Sequence, residues 1–153
     1  MTRIFVDADA CPVKQETERV AARHRLEVFV VSNGGLRPSR DPLVKNVVVA
    51  EGPDAADDWI AERAGPGDIC VTADIPLAAR CIENGAMAIR HNGDAFTSDN
   101  IGSQLATRDL MADIRAANPL WTGGGGRSFS KADRSRYLDR LERMVQQAKR
   151  TTA

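Results

Sequence analysis

Four aspartates stand where they could act together. Asp7 and Asp9 lie in IFVDADACPV (residues 4–13), where an apolar, strand-like run gives way to Cys11-Pro12. Asp74 closes a second apolar run, ICVTA, and Asp57 stands between the two in PDAADDWIAERA. Carboxylates brought together repel, and at least one pKa rises unless a cation intervenes. Oxygen ligands without histidine or cysteine favour Mg²⁺ or Mn²⁺. Such an ion activates water and offsets the charge that builds during phosphodiester cleavage. The same acids also admit simpler readings: helix caps, or an aspartyl nucleophile at Asp7 with a general acid at Asp9.

These side chains can meet only if the elements carrying them end at one edge. Apolar, β-branched runs at 4–7, 27–32, 46–51, 68–74 and 86–90 read as five strands. Helical patterns run from about Pro12, from Pro53 to about Ala64, over 75–84, from about Asn100 to Ala117, and from about Lys131 to Lys149. Runs that are apolar throughout, rather than alternating, fit a parallel sheet covered on both faces. The spacing therefore predicts a three-layer α/β fold of about five mostly parallel strands, with a C-terminal helical segment against it. Residues 1–117 would form the α/β core, 118–130 a glycine-containing loop and 131–150 the last helix.

In such a sheet, groups at the carboxyl ends of the strands converge on one crevice. Asp7 would end strand one and Asp74 strand four, facing each other if those strands are neighbours. In the helix between, at ~100° per residue, Ala56, Trp59, Ile60 and Ala64 make the apolar stripe. Asp57 falls at its edge and can look inward, whereas Asp58 and Glu62 fall on the solvated side. Asp74 is equally well placed to cap the helix starting at Ile75. Asp57 alone reads as a solvated helix residue. Asp7, at the end of a buried strand, needs a partner.

The chain has 153 residues, 42% of them hydrophobic, with 21 basic and 21 acidic side chains and zero net charge. A nucleic acid would therefore have to meet a local basic patch rather than a global field. No run of 18 apolar residues and no basic-then-apolar leader before Ile4 is present, so the expectation is a cytoplasmic chain without a membrane partner. Three cysteines without CxxC spacing and two lone histidines argue against a disulfide framework or a structural zinc site. Cys70 and Cys81 read as small core residues, and Cys11 as a thiol near the acids that could react. His91 follows strand five and could reach the crevice rim.

Arg37 and Arg40, in SNGGLRPSR (32–40), and Arg80, on the helix after Asp74, are candidates to grip phosphates, although each reads equally as a solvated arginine. TGGGGR (122–127) lacks the Lys-Ser/Thr ending of a phosphate loop and reads as a linker. The last helix mixes basic residues with Asp133, Asp139 and Glu142, the pattern of a solvated face.

VDADACPVK (6–14), DAADDWI (54–60), VTADIPLAAR (71–80), TSDNIGSQLATRDLMADIR (97–115) and TGG…FSKADR (122–134) together resemble the bacterial YaiI/YqxD family. The resemblance spans nearly the whole chain and implies a PIN-like fold with an acidic, divalent-metal site. PIN-like nucleases carry acids after strand one, on an intermediate helix and after strand four, which Asp7, Asp57 and Asp74 match. It thus implies a Mg²⁺- or Mn²⁺-dependent nuclease acting on RNA rather than DNA, with Asp9 as an outer ligand or base. Homo-oligomers are common among PIN-like proteins, but no residue here marks a dimer face. One departure is Gly125-Gly126, where the family has a proline after Thr-Gly-Gly.

Two other readings remain open. A PIN-like module could bind RNA or a protein without cleaving. Alternatively, VDADACPV and VFVVSN (28–33) resemble two motifs of haloacid-dehalogenase-like phosphatases, with Asp7 as nucleophile. Against that reading, Asp68 precedes strand four, at the wrong edge, and the required lysine has no clear place.

Overall fold

A computed structural model describes residues 2–152, apart from Asp9, Ala10, Gly35, Leu36, Glu51, Pro53 and 118–128; for Arg115, Thr151 and Thr152 it describes the backbone. The elements follow as β1 (Arg3–Asp7), α1 (Lys14–His24), β2 (Glu27–Ser32), β3 (Val44–Val48), α2 (Ala55–Arg63) and β4 (Ile69–Val71). Then come α3 (Ile75–Glu83), β5 (Met87–Ile89), β6 (Ala95–Phe96), α4 (Ile101–Ala117) and α5 (Lys131–Thr152). The strands form one sheet in the order β3-β2-β1-β4-β5-β6. The first five pair in parallel, and β6 pairs antiparallel with β5. The expected α/β architecture is therefore present, with one strand more than the sequence patterns predict.

Alternation along the central strands divides the core in two. Ile4, Val6, Val28, Val30, Ile69 and Val71 face α1 and α5. Phe5, Val31, Cys70 and Ala88 face α2 and α3. A strand buried on both faces has no polar positions to spare, which is why these runs read as continuously apolar. On α5, Tyr137, Leu141, Val145 and Ala148 recur at helical spacing and are fully buried. The Tyr137 hydroxyl meets Thr17 Oγ1 at 2.5 Å, tying α5 to α1. The C-terminal helix thus completes a layer of the sandwich. On α4, by contrast, Leu110 and Ile114 stand one turn apart and exposed.

Several boundaries differ from the sequence expectation by a few residues, three of them for a clear local reason, and one short strand is added. Helix α1 begins at Lys14 rather than Pro12, because Val13 O is the first carbonyl to accept from the helix, from Thr17 N–H at 3.0 Å. β3 runs over 44–48 rather than 46–51, its register being set by pairing Val44 with Val28 and Val48 with Ser32. β4 stops at Val71, three residues short of Asp74, because the Asp74 N–H turns back to Thr72 Oγ1 at 3.0 Å and leaves the sheet. The two-residue β6 is too short to leave a periodic signal. Residues 118–128, most of the glycine-containing loop expected at 118–130, lie outside the described residues.

Candidate functional site

The strand order grows outward from β1 in one direction and from β4 in the other, so the topological switch point lies between these two neighbours. Ile4, Phe5 and Val6 pair with Ile69, Cys70 and Val71. One residue further on, Asp7 and Thr72 reach the carboxyl edge together, and Thr72 Oγ1 donates to Asp7 Oδ2 at 2.9 Å. Thr72 has no exposed surface. The same hydroxyl oxygen accepts the Asp74 N–H, and Asp74 Oδ1 accepts the Leu77 N–H at 2.9 Å as the N-cap of α3. Asp74 is thus a cap as well as a candidate ligand. Its second carboxylate oxygen takes no part in that cap bond.

Asp57 sits half-buried in the first turn of α2. A carboxylate at a helix N-terminus ordinarily finds its charged form favoured. Here the pKa instead rises to about 6, first because of burial and then because of the charges on Asp74, Asp7 and Asp54, with Arg80 opposing. The three acids chosen from sequence are therefore electrostatic neighbours. Asp54, exposed at the N-cap position of α2, joins them and was not among the acids singled out from sequence. Asp9 lies outside the described residues.

Among the described residues, no three His, Cys, Asp or Glu side chains are grouped closely enough to hold a metal ion. The donors themselves are all hard carboxylate oxygens, the chemistry that Mg²⁺ and Mn²⁺ prefer. The repulsion that raises Asp57 is of the kind a cation relieves.

The arginines divide. Arg80 donates to Asp58 Oδ1 at 2.8 Å on the exposed rim, so its hydrogen bond goes to the acid set aside as solvated while its charge still reaches Asp57. Arg37 and Arg40 are exposed beyond β2, where neither forms an ion pair among the described residues. Cys11 does not meet the expectation of reactivity: burial pushes its thiol up to about 11, with Asp7 and Glu16 adding to the rise, so it stays protonated at neutral pH. His91 Nε2 is buried without a hydrogen-bond partner among the described residues, and burial lowers its pKa. Asp68, the acid a phosphatase reading would need, lies at the opposite edge of the sheet. It accepts from the Arg3 N–H and guanidinium and from Gly65 N–H.

Thr72 is the residue the sequence reading missed. Its signal is a threonine two residues before a capping aspartate, where a hydroxyl commonly bonds the backbone two residues on.

Residues 5–147 match the family model described as "Uncharacterized BCR, YaiI/YqxD family". The chain belongs to the YaiI/YqxD family. A UPF0178 protein of Ruegeria pomeroyi is 69% identical over 150 residues, covering 98% of this chain and 97% of that protein. Others from Roseobacter denitrificans and Parvibaculum lavamentivorans are 64% and 60% identical, each covering 97% of the relative and 97% and 98% of this chain. No solved structure matches significantly. For this YaiI/YqxD chain, the matched span takes in all three acids and Thr72. No helix among its described residues is long and apolar enough to cross a membrane.

Proposed function

We propose that this protein is a divalent-metal-dependent phosphodiesterase acting on RNA, with a PIN-like arrangement of acids. The observation that supports it best is the meeting of Asp7 and Asp74 at the shared Thr72 hydroxyl, on the carboxyl edge where the strand order reverses. Asp7, Asp57 and Asp74 would hold Mg²⁺ or Mn²⁺, and Asp9 would orient them or accept a proton. A bound ion would lower the pKa of a coordinated water and neutralise charge on the phosphate. The chain's own part is to hold the carboxylates: Thr72 fixes one oxygen of Asp7, the α3 cap fixes one oxygen of Asp74, and the α2 stripe turns Asp57 inward.

A second reading is a non-catalytic RNA- or protein-binding module, for which Asp74's hydrogen bond as the cap of α3 gives that acid a structural part without a metal. Incubation with labelled single-stranded RNA and Mn²⁺ separates the two. The nuclease reading expects cleavage by the wild type and its loss in Asp7→Asn with the far-ultraviolet spectrum unchanged. Cleavage that persists in the variant would move the chemistry elsewhere.

A further inference from the structure

The family motif at 97–115 contributes no acid to the site, yet it builds a wall beside it. An open cleft of about 500 Å³ lies between α4 and the ends of α3 and β5, and a second of about 530 Å³ lies between the start of α4, the β5–β6 turn and Arg140 of α5. Arg90 and Gln104 line both, so the clefts adjoin across the hydrogen bond from Arg90 Nη2 to Gln104 Oε1, at 2.7 Å. One end reaches Ile75, the residue after Asp74, and carries Arg108, Ser103 and Thr107. The other end carries Arg140 of α5. Each volume falls within the range of roughly 300–1,000 Å³ for small-molecule sites.

Arg90 is the centre of this groove and is held in place before any ligand arrives. Its guanidinium lies over the ring of the buried Phe96, 4.8 Å from the centroid, while Gln104 takes one donor. No carboxylate among the described residues forms an ion pair with it. A half-buried guanidinium without a counter-charge is suited to an anion, and its planar fork matches phosphate oxygens. Among the described residues, Arg108 pairs with the adjacent Asp109, at 3.5 Å and with both side chains exposed, an arrangement an incoming phosphate can displace. Among the described residues lining the two clefts, Asp94 is the one carboxylate against three arginines, Arg90, Arg108 and Arg140. A chain of zero net charge needs a local basic patch to meet a polyanion, and this groove is one.

We infer that the groove formed by Arg108, Arg90 and Arg140 binds the phosphodiester backbone of a single-stranded nucleic acid and leads it to Asp74. This deepens the proposed function and rests on it for the direction of the strand, though not for the binding. Ser103, Thr107 and Gln104 supply neutral hydrogen bonds along the path. Among the described residues lining the two clefts none is aromatic, and Phe96 lies buried beneath Arg90, so the contacts these residues offer are to the backbone rather than to base faces. Recognition is therefore by charge, with little base preference and a steep dependence on salt.

Fluorescence anisotropy with a short labelled oligouridylate, in EDTA so that no metal contributes, tests this on the full chain. Wild type binds, and Arg90→Gln and Arg108→Gln each weaken binding about fivefold or more. Each substitution also flattens the slope of log K against log salt by roughly 0.7, the value of one lost phosphate contact on a single strand. Arg108 is exposed on α4, so its variant guards against a folding defect. Oligodeoxyuridylate is measured in parallel: binding of either strand supports the groove, and the ratio shows which sugar it takes. Wild-type binding without cleavage on adding Mn²⁺ supports the groove while removing the nuclease reading. No binding by wild type, or unchanged affinity and salt slope in both arginine variants, overturns the groove.

Discussion

Thr72 Oγ1 donates to Asp7 Oδ2 at 2.9 Å, with the hydroxyl wholly buried between β1 and β4. That oxygen also accepts the Asp74 N–H, so one side chain sets the positions of two acids from separate elements. Thr72→Val keeps the shape and removes both bonds, so the part-buried Asp74 N–H and the Asp7 carboxylate each lose one hydrogen bond. Urea unfolding should show a loss of roughly 1–3 kcal/mol, most of it regained in Thr72→Ser. A Val variant as stable as wild type would mean that water replaces the hydroxyl without cost.

Asp57 gives a pH signature with a definite sign. Its folded-state pKa, about 6, lies above the ordinary carboxylate value, so its charged form opposes folding at neutral and higher pH. That penalty fades as pH falls through about 6 and is gone below the ordinary value of about 4. Asp57→Asn should therefore raise the Tm at about pH 8, with the difference from wild type shrinking toward zero near pH 4. The same proton must leave before the carboxylate can bind a cation, so Mn²⁺ affinity should climb with pH through about 6. A variant melting below wild type at high pH would show that Asp57 is held by a favourable partner instead.

Gly93 fixes the β5–β6 turn against α5. Its φ is +94°, and a Cβ there would meet the Arg136 carbonyl carbon at 2.7 Å and oxygen at 2.8 Å. Gly93→Ala should destabilise by more than the roughly 1 kcal/mol that left-handed backbone costs alone, because backbone rather than a flexible side chain must move. Gly102, in the first turn of α4, has nothing within 4 Å of its Cβ position. Gly102→Ala should be neutral or stabilise by up to ~1 kcal/mol. Thermal melts of the pair check both.

Leu141 tests whether α5 belongs to the core. It is fully buried against the sheet with Tyr137 and Val145. Leu141→Ala should cost about 2–5 kcal/mol in chemical denaturation. A smaller loss would mean that α5 shifts to fill the gap.

The sequence carried the sheet because strands buried on both faces leave continuous apolar runs, and it carried Asp57 because the angle from Ala56 and Ile60 is set by helix geometry alone. Asp7 was legible for a related reason, as a charge at the end of a buried strand. Thr72 was not: its partner is 65 residues away, and the bond exists only because β1 and β4 are neighbours. Arg90 was hidden in the same way, since Phe96 comes to it on a two-residue strand with no periodicity to read and Gln104 comes from α4. Asp74 was legible as the cap of α3, and the structure shows that cap.

Calorimetric titration of Mn²⁺ into wild type and Asp74→Asn tests the metal site most directly. Asparagine keeps a cap acceptor for the Leu77 N–H, so the variant should fold while losing a charged ligand. The expected result is saturable binding by wild type, weakened about tenfold or more in the variant, a difference of ~1.4 kcal/mol or greater. Equal binding by both proteins, or none by wild type, would contradict a metal site at this edge and leave Asp74 as the cap of α3.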